Sequence, residues 1–142
     1  MKTRVLLVDD EKDFVETLAE RLEMRGFDVK TSFSGDEALD LIQKHKFDVI
    51  VLDVLMPGKD GMETLKEIKK IKPLLQVIML TGHATVETAI AGMKLGAFDY
   101  LIKPTQTMDL VHKIARAVIL KTEHEERICK AEMEHIIKKR GW

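Results

Sequence analysis

In the stretch Val5-Leu6-Leu7-Val8-Asp9-Asp10-Glu11, four apolar residues end abruptly on three acids. A run so short and rich in Val and Leu suits a strand covered on both faces in a parallel sheet. Working outward, comparable runs follow at Val29–Phe33 (the weakest), Val49–Leu52, Val77–Leu80 and Tyr100–Ile102. Amphipathic stretches separate them, at about Glu11–Arg25, Asp36–Lys44, Met62–Ile71, Thr85–Leu95 and Met108–Leu120. In the first of these, Phe14, Leu18 and Leu22 recur every four residues with Arg21 and Glu23 off the stripe. Ser34 with Glu37, and Asp60 with Glu63, have capping-box spacing. Gly26 and Gly96 stand where a left-handed residue closes a helix most cheaply as glycine. Five strand–helix repeats with short connections predict a right-handed, doubly wound α/β sheet.

Composition sets outer bounds. The 142 residues are enough for one domain with a substantial core, and 45% hydrophobic with 33% charged residues fits a folded globular chain. A formal net charge of −1 offers no basic surface and no support for nucleic-acid binding. The single cysteine, Cys129, cannot form an internal disulfide, which fits a reducing compartment. The first apolar run is too short for a signal-peptide core, and none approaches the roughly 18 residues of a membrane span. The expected setting is the cytoplasm, away from membrane.

In open α/β sheets, ligands bind outside the carboxyl ends of the strands. Each expected strand end there carries polar chemistry: Asp9-Asp10-Glu11, then Asp53, then Thr81-Gly82, then Lys103-Pro104. Each also has a plain structural explanation. Asp9 or Asp10 could cap the first helix; Asp53 and Thr81 could be ordinary turn residues; Lys103 could be a solvated charge, and Tyr100 core or surface filler. The combination is what argues for a site, because four independent accidents at four strand ends are improbable. Carboxylates held close together repel, and a hard divalent cation compensates them; Mg²⁺ takes few carboxylates and favours phosphate oxygens. An ionised Asp can attack phosphorus to give an aspartyl phosphate. Lys103 and the metal would neutralise charge on the transferring group, while Thr81 could donate a hydrogen bond to it.

The sequence resembles the response-regulator receiver family of two-component signalling, over about residues 3–120. The motifs that carry the resemblance are Val5-Leu6-Leu7-Val8-Asp9-Asp10-Glu11, Asp53-Val54-Leu55-Met56-Pro57-Gly58-Lys59-Asp60-Gly61, Met79-Leu80-Thr81-Gly82 and Asp99-Tyr100-Leu101-Ile102-Lys103-Pro104. The resemblance implies a flavodoxin-like five-stranded parallel sheet in the order 2-1-3-4-5, with five helices. It implies Asp53 as phospho-acceptor, with a phospho-histidine kinase or phosphotransfer protein as donor. It implies Asp10 as a direct Mg²⁺ ligand, Asp9 as a ligand through water, and the backbone carbonyl of Leu55 as the remaining protein ligand. Thr81 matches the switch hydroxyl, Tyr100 the aromatic that turns with phosphorylation, and Lys103 the phosphate-binding lysine, with a cis Lys103–Pro104 bond. The output is expected at the surface of the fourth helix, fifth strand and fifth helix, coupled to the pocket as a two-state equilibrium. Side chains at Leu55 and His83 should flank the line of a hydrolytic water. Leu55 cannot hydrogen-bond that water, so slow self-dephosphorylation is expected, with His83 as a partial compensator or else an exposed loop residue. Thr105 departs from the family, which often has a bulky apolar residue there, at the start of the last helix.

Three rival readings differ in the residues they need. A dehalogenase-type phosphatase needs a second acid two residues after its nucleophile, where this chain has Leu55. A nucleotide-binding protein needs a glycine-rich loop after the first strand, where this chain has acids. A receiver-like interaction module that is never phosphorylated is the alternative that the complete acidic set argues against. The chain is expected to be a switch that assists its own phosphotransfer rather than an enzyme. The receiver should occupy residues 1–121 and a helical tail or linker residues 122–142. Those last residues are too few for a helix-turn-helix domain, so the chain is expected to be either a stand-alone regulator acting on a downstream protein target or a receiver cut from a longer chain that carries the output domain. Lys121–Arg127 is polar throughout, yet Cys129, Met133 and Ile136-Ile137 resume an apolar stripe, and no Gly or Pro occurs from Thr105 to Arg140. A continuous helix from Met108 to Lys139 would span ~48 Å at ~1.5 Å per residue. Its stripe would pack on a second copy or a partner, or the segment is a frayed tail, because the polar break spoils a sustained heptad pattern.

Overall fold

The computed structural model describes residues 2–54, 60–82 and 85–140. The elements alternate as β1 (Arg4–Val8), α1 (Lys12–Met24), β2 (Asp28–Ser32), α2 (Gly35–Lys44), β3 (Val49–Leu52), α3 (Gly61–Ile71), β4 (Gln76–Thr81), α4 (Val86–Lys94), β5 (Asp99–Ile102) and α5 (Thr107–Arg140). The strands form one parallel sheet in the order β2-β1-β3-β4-β5, as the resemblance implied. Alternation along the strands sorts the core into two layers. Leu6, Val8, Ile50, Leu52, Val77 and Met79 face the helices α2 and α3. Val5, Leu7, Val49, Val51, Ile78 and Leu80 face α1 and α5. Each such side chain contributes roughly 1.5–3 kcal/mol by leaving water.

Coverage on both faces holds in the middle of the sheet and fails at its edges. Every residue of β3 and β4 is buried, whereas β2 and β5 expose alternate residues. An edge strand lacks a neighbour on one side, and the flanking helices centre over the middle strands. β2 begins at Asp28, one residue before the apolar run, because Asp28 pairs with Arg4. β4 extends to Thr81, which pairs with Ile102.

Helix starts correct one expectation. Neither Asp9 nor Asp10 caps α1: its N-cap is Glu11, which makes no side-chain capping bond. Ser34 Oγ accepts from Glu37 N at 3.1 Å, but Glu37 reaches Phe33 N instead of Ser34 N, so the box is offset by one residue. Asp60 accepts from Glu63 N at 2.8 Å as its spacing predicts. Gly26 and Gly96 have φ of 90° and 103°. At the first, Gly26 N donates to Glu23 O and Phe27 N to Leu22 O, the paired bonds of a left-handed helix stop.

The last helix runs unbroken through the polar stretch, for 34 residues, to Arg140. Leu110, Ile114 and Ala117 anchor it in the core, and every side chain from Glu125 to Arg140 is exposed. Half-buried Thr105 lines a small cavity of about 60 Å³ with Phe14, Leu18, Leu80 and Thr107, space that a bulkier side chain would fill.

Candidate functional site

Strand register gathers the polar residues. Val8 lies beside Leu52 and Leu52 beside Met79, so the residues that follow emerge together at the carboxyl edge. Backbone pairing continues one step further: Asp53 N donates to Val8 O at 2.9 Å, Asp9 N to Ser32 O at 3.1 Å and Lys103 N to Thr81 O at 2.9 Å. Asp9 and Asp53 are each only 4% exposed, Thr81 is 1% exposed, and Asp10 faces solvent. One carboxylate oxygen from each of Asp9, Asp10 and Asp53 lies within 4.8 Å of the others.

Lys103 reaches across from the end of β5. Its Nζ donates to Asp9 Oδ2 at 2.5 Å and to Glu11 Oε1 at 3.3 Å, and lies 3.7 Å from Asp53 Oδ2. The same ammonium sits 4.2 Å from the centre of the Phe14 ring, a cation–π contact. Burial pushes the Asp9 carboxyl above the ordinary carboxylate range, and the charge of Asp53 adds to this against the hydrogen bonds from Lys103 and Glu11 N. Burial also pulls the Lys103 ammonium down. The Asp9 hydrogen bond and the charges of Asp9, Asp53 and Glu11 outweigh it, so the ammonium is held above its usual value.

Among the described residues, three clustered carboxylates against one close ammonium leave an excess of negative charge and hard oxygen donors. That donor set suits Mg²⁺, which combines few carboxylates with water and phosphate oxygens. The cluster thus fits the expected ion. Gly61 explains how the wall beside Asp53 is built. A Cβ there would stand 2.1 Å from Asp53 O and 2.6 Å from Val54 Cα, so only glycine lets the start of α3 approach the backbone at Asp53 and Val54. The Lys103–Pro104 peptide is cis, as expected.

Such a constellation at the carboxyl edge of a 2-1-3-4-5 sheet has known counterparts. Residues 5–115 match the family model of the response regulator receiver domain. The chain belongs to that family. Solved structures agree along nearly its whole folded body. A CheY-like receiver domain protein from Methanospirillum hungatei JF-1 superposes with a TM-score of 0.84 at 28% identity, covering 87% of this chain and 99% of that one. A receiver domain protein from Clostridium thermocellum gives 0.81 at 39% identity, covering 84% and 97%. NtrX from Brucella abortus gives 0.82 at 34% identity; the match covers 89% of this chain but only 29% of that longer protein.

Within this receiver domain, the expected residues are not all in one place. Asp9, Asp10, Asp53 and Lys103 form one cluster, with Thr81 buried at the adjoining strand end. Tyr100 lies apart, 36% exposed, lining a groove of about 430 Å³ with Val86, Ala89, Ile90 and Met93 of α4. Leu55 and His83 lie outside the described residues. The sequence places Glu11 at the first strand end without showing its partner, and it gives Phe14 and Gly61 no role of their own in the site. Phe14 reads as part of a core stripe, and nothing in its spacing tells that its ring also carries an ammonium. No described helix is long and apolar enough to cross a membrane.

Proposed function

We propose that this receiver domain is a phosphorylation switch whose acceptor is Asp53. The observation that carries the reading is the buried Asp53 carboxylate at a strand end, 3.7 Å from the Lys103 ammonium and clustered with Asp9 and Asp10. A phosphohistidine of a sensor kinase or phosphotransfer protein is the donor. An Asp53 oxygen forms the new P–O bond as the P–N bond breaks, and the departing imidazole nitrogen keeps the electron pair and takes up a proton. Lys103 moves a short way from Asp9 to the transferred group and neutralises part of its charge. Thr81 donates its hydroxyl to the same group. Asp9, Asp10, Asp53 and the carbonyl of Leu55 would hold Mg²⁺, which when bound adds positive charge against the phosphoryl oxygens.

Movement of Thr81 toward the phosphoryl group opens space for Tyr100 to turn inward. Tyr100 now borders the α4 groove, so its rotation reshapes the surface of α4, β5 and α5. A downstream protein or an attached output domain reads that surface, in the cytoplasm and without direct nucleic-acid contact. Residues 1–121 form the switch, and residues 122–142 are the tail that follows it. The chain assists its own phosphotransfer and dephosphorylation and turns over no other substrate. Leu55 leaves the hydrolytic water without a hydrogen-bond partner, and His83 compensates in part.

Intact mass spectrometry after acetyl phosphate treatment tests the reading. One phosphoryl group is gained with Mg²⁺, none with a chelator, and none by Asp53→Ala. A modified Asp53→Ala protein would overturn the assignment. A wild-type protein that stays unmodified under all conditions supports the interaction-module reading instead.

A further inference from the structure

We propose that the far half of α5 is a dimerisation element that pairs antiparallel with the same segment of a second copy of this chain. Residues 125–140 are helical and exposed throughout, with Met133 54%, Ile136 45% and Ile137 40% exposed. A lone helix of this length is marginal in water, since most helical stability comes from packing an apolar face. Thr122, Glu126, Cys129, Met133, Ile136 and Arg140 alternate at spacings of four and three, so they form one seam of the helix.

Charge along this segment decides the direction of pairing. Its beginning carries Glu123, Glu125 and Glu126, and its end carries Lys138, Lys139 and Arg140. Parallel pairing sets Glu126 and Arg140 of the seam against their own copies, and brings Glu125 beside Lys130 but leaves the basic end of the segment without an acidic partner. Antiparallel pairing about an axis near Ala131 does the opposite. Cys129 then meets Met133, Ile136 meets Glu126, and Arg140 meets Thr122 in each half, with Glu125 beside Lys139. Only Lys130 and Glu132, next to the axis, face like charges. Within its own helix Glu125 already reaches Lys121 at 3.1 Å, which holds it on the flank of the seam.

Cys129 reports the geometry. In a parallel pair the two cysteines share a layer and could form a disulfide. In the antiparallel pair they are offset by about 6 Å along the axis, which puts their Cα atoms beyond the roughly 4.4–6.8 Å that a disulfide spans.

The test is sedimentation velocity of the intact, unphosphorylated chain without Mg²⁺, so its outcome is separate from that of the phosphorylation reading. A reversible dimer is expected. The triple variant K138E/K139E/R140E weakens it by about tenfold or more, and adding E123K/E125K/E126K restores it. All six positions are solvent-exposed and leave the core untouched. A monomeric wild type, a dimer indifferent to the triple reversal, or efficient oxidative cross-linking through Cys129 would each overturn the proposal.

Discussion

Two glycines inside helices separate a backbone requirement from a packing one. A Cβ at Gly61 would collide with the main chain of Asp53 and Val54, at 2.1 and 2.6 Å, and main chain there cannot yield without displacing the end of β3. A Cβ at Gly92 would instead meet Met79 Sδ at 2.3 Å and Cε at 3.0 Å, in a side chain with three rotatable bonds. At Gly92, inside α4, alanine would gain about 1 kcal/mol in helix propensity, whereas Gly61 is the first residue of α3 and gains less. Gly61→Ala should therefore cost several times more than Gly92→Ala in urea unfolding, with a net loss beyond about 2 kcal/mol. Equal costs would mean that α3 can retreat from Asp53. A second residue-scale outcome concerns Leu55. Its side chain offers a hydrolytic water no hydrogen bond, so Leu55→Asn or Leu55→Glu should shorten the lifetime of the aspartyl phosphate, followed by loss of the added mass with time. An unchanged or longer lifetime removes Leu55 from the role proposed for it.

At the scale of elements, α4 has the fewest buried residues of the helices that flank the sheet. Only Ala89 and Gly92 are buried within it, while Val86 and Ile90 are 72% and 50% exposed. Its start is held by a reciprocal box. Thr85 Oγ1 accepts from Thr88 N at 3.1 Å, and Thr88 Oγ1 accepts from Thr85 N at 2.8 Å. Thr85→Ala removes one arm and should lower stability by about 1 kcal/mol. Because so little of α4 is buried, the loss should appear first as faster amide exchange confined to α4, before any global change. A uniform rise across the sheet would show that α4 unfolds only with the whole domain. The α3–β4 connection is tied differently, by Lys69 Nζ donating to Pro73 O at 2.7 Å and Leu75 O at 3.0 Å. Burial lowers the pKa of that ammonium, while its stem lies where a side chain at Gly96 would have to go.

For the whole molecule, the acidic edge couples the site to global stability. Three carboxylates within 4.8 Å repel one another in the folded state and separate on unfolding. Ion binding to the folded state alone adds RT ln(1 + [L]/Kd), about 1.4 kcal/mol at ten times Kd. Mg²⁺ should thus raise the thermal midpoint by about 3–6 °C for a domain of this size. Asp10→Asn, at an exposed position, should abolish most of that shift without unfolding the chain. An undiminished Mg²⁺ effect in Asp10→Asn would place the ion elsewhere.

The layering of the core was legible in the sequence because strand and helix periods are local. The runs from Val5 and Val49 place alternate residues on two faces whatever else the chain does, and the left-handed stops at Gly26 and Gly96 follow from local sterics alone. The acids at strand ends were visible for the same reason, since a short apolar run that stops on Asp9 or Asp53 announces its own end. The arrangement around Lys103 needed the tertiary structure. Its closest partner is Asp9, at 2.5 Å, while Asp53 stands at 3.7 Å, and Phe14 lies beneath the ammonium. Those distances depend on the register of four parallel strands and on how far each side chain reaches, quantities that no local pattern encodes. The same holds for α5. Its sequence permits a helix through Lys121–Arg127, but a polar stretch gives no periodic signal, and continuity to Arg140 is seen only in the folded chain. Local sterics and periodicity set which elements form, and long-range pairing sets which charges meet.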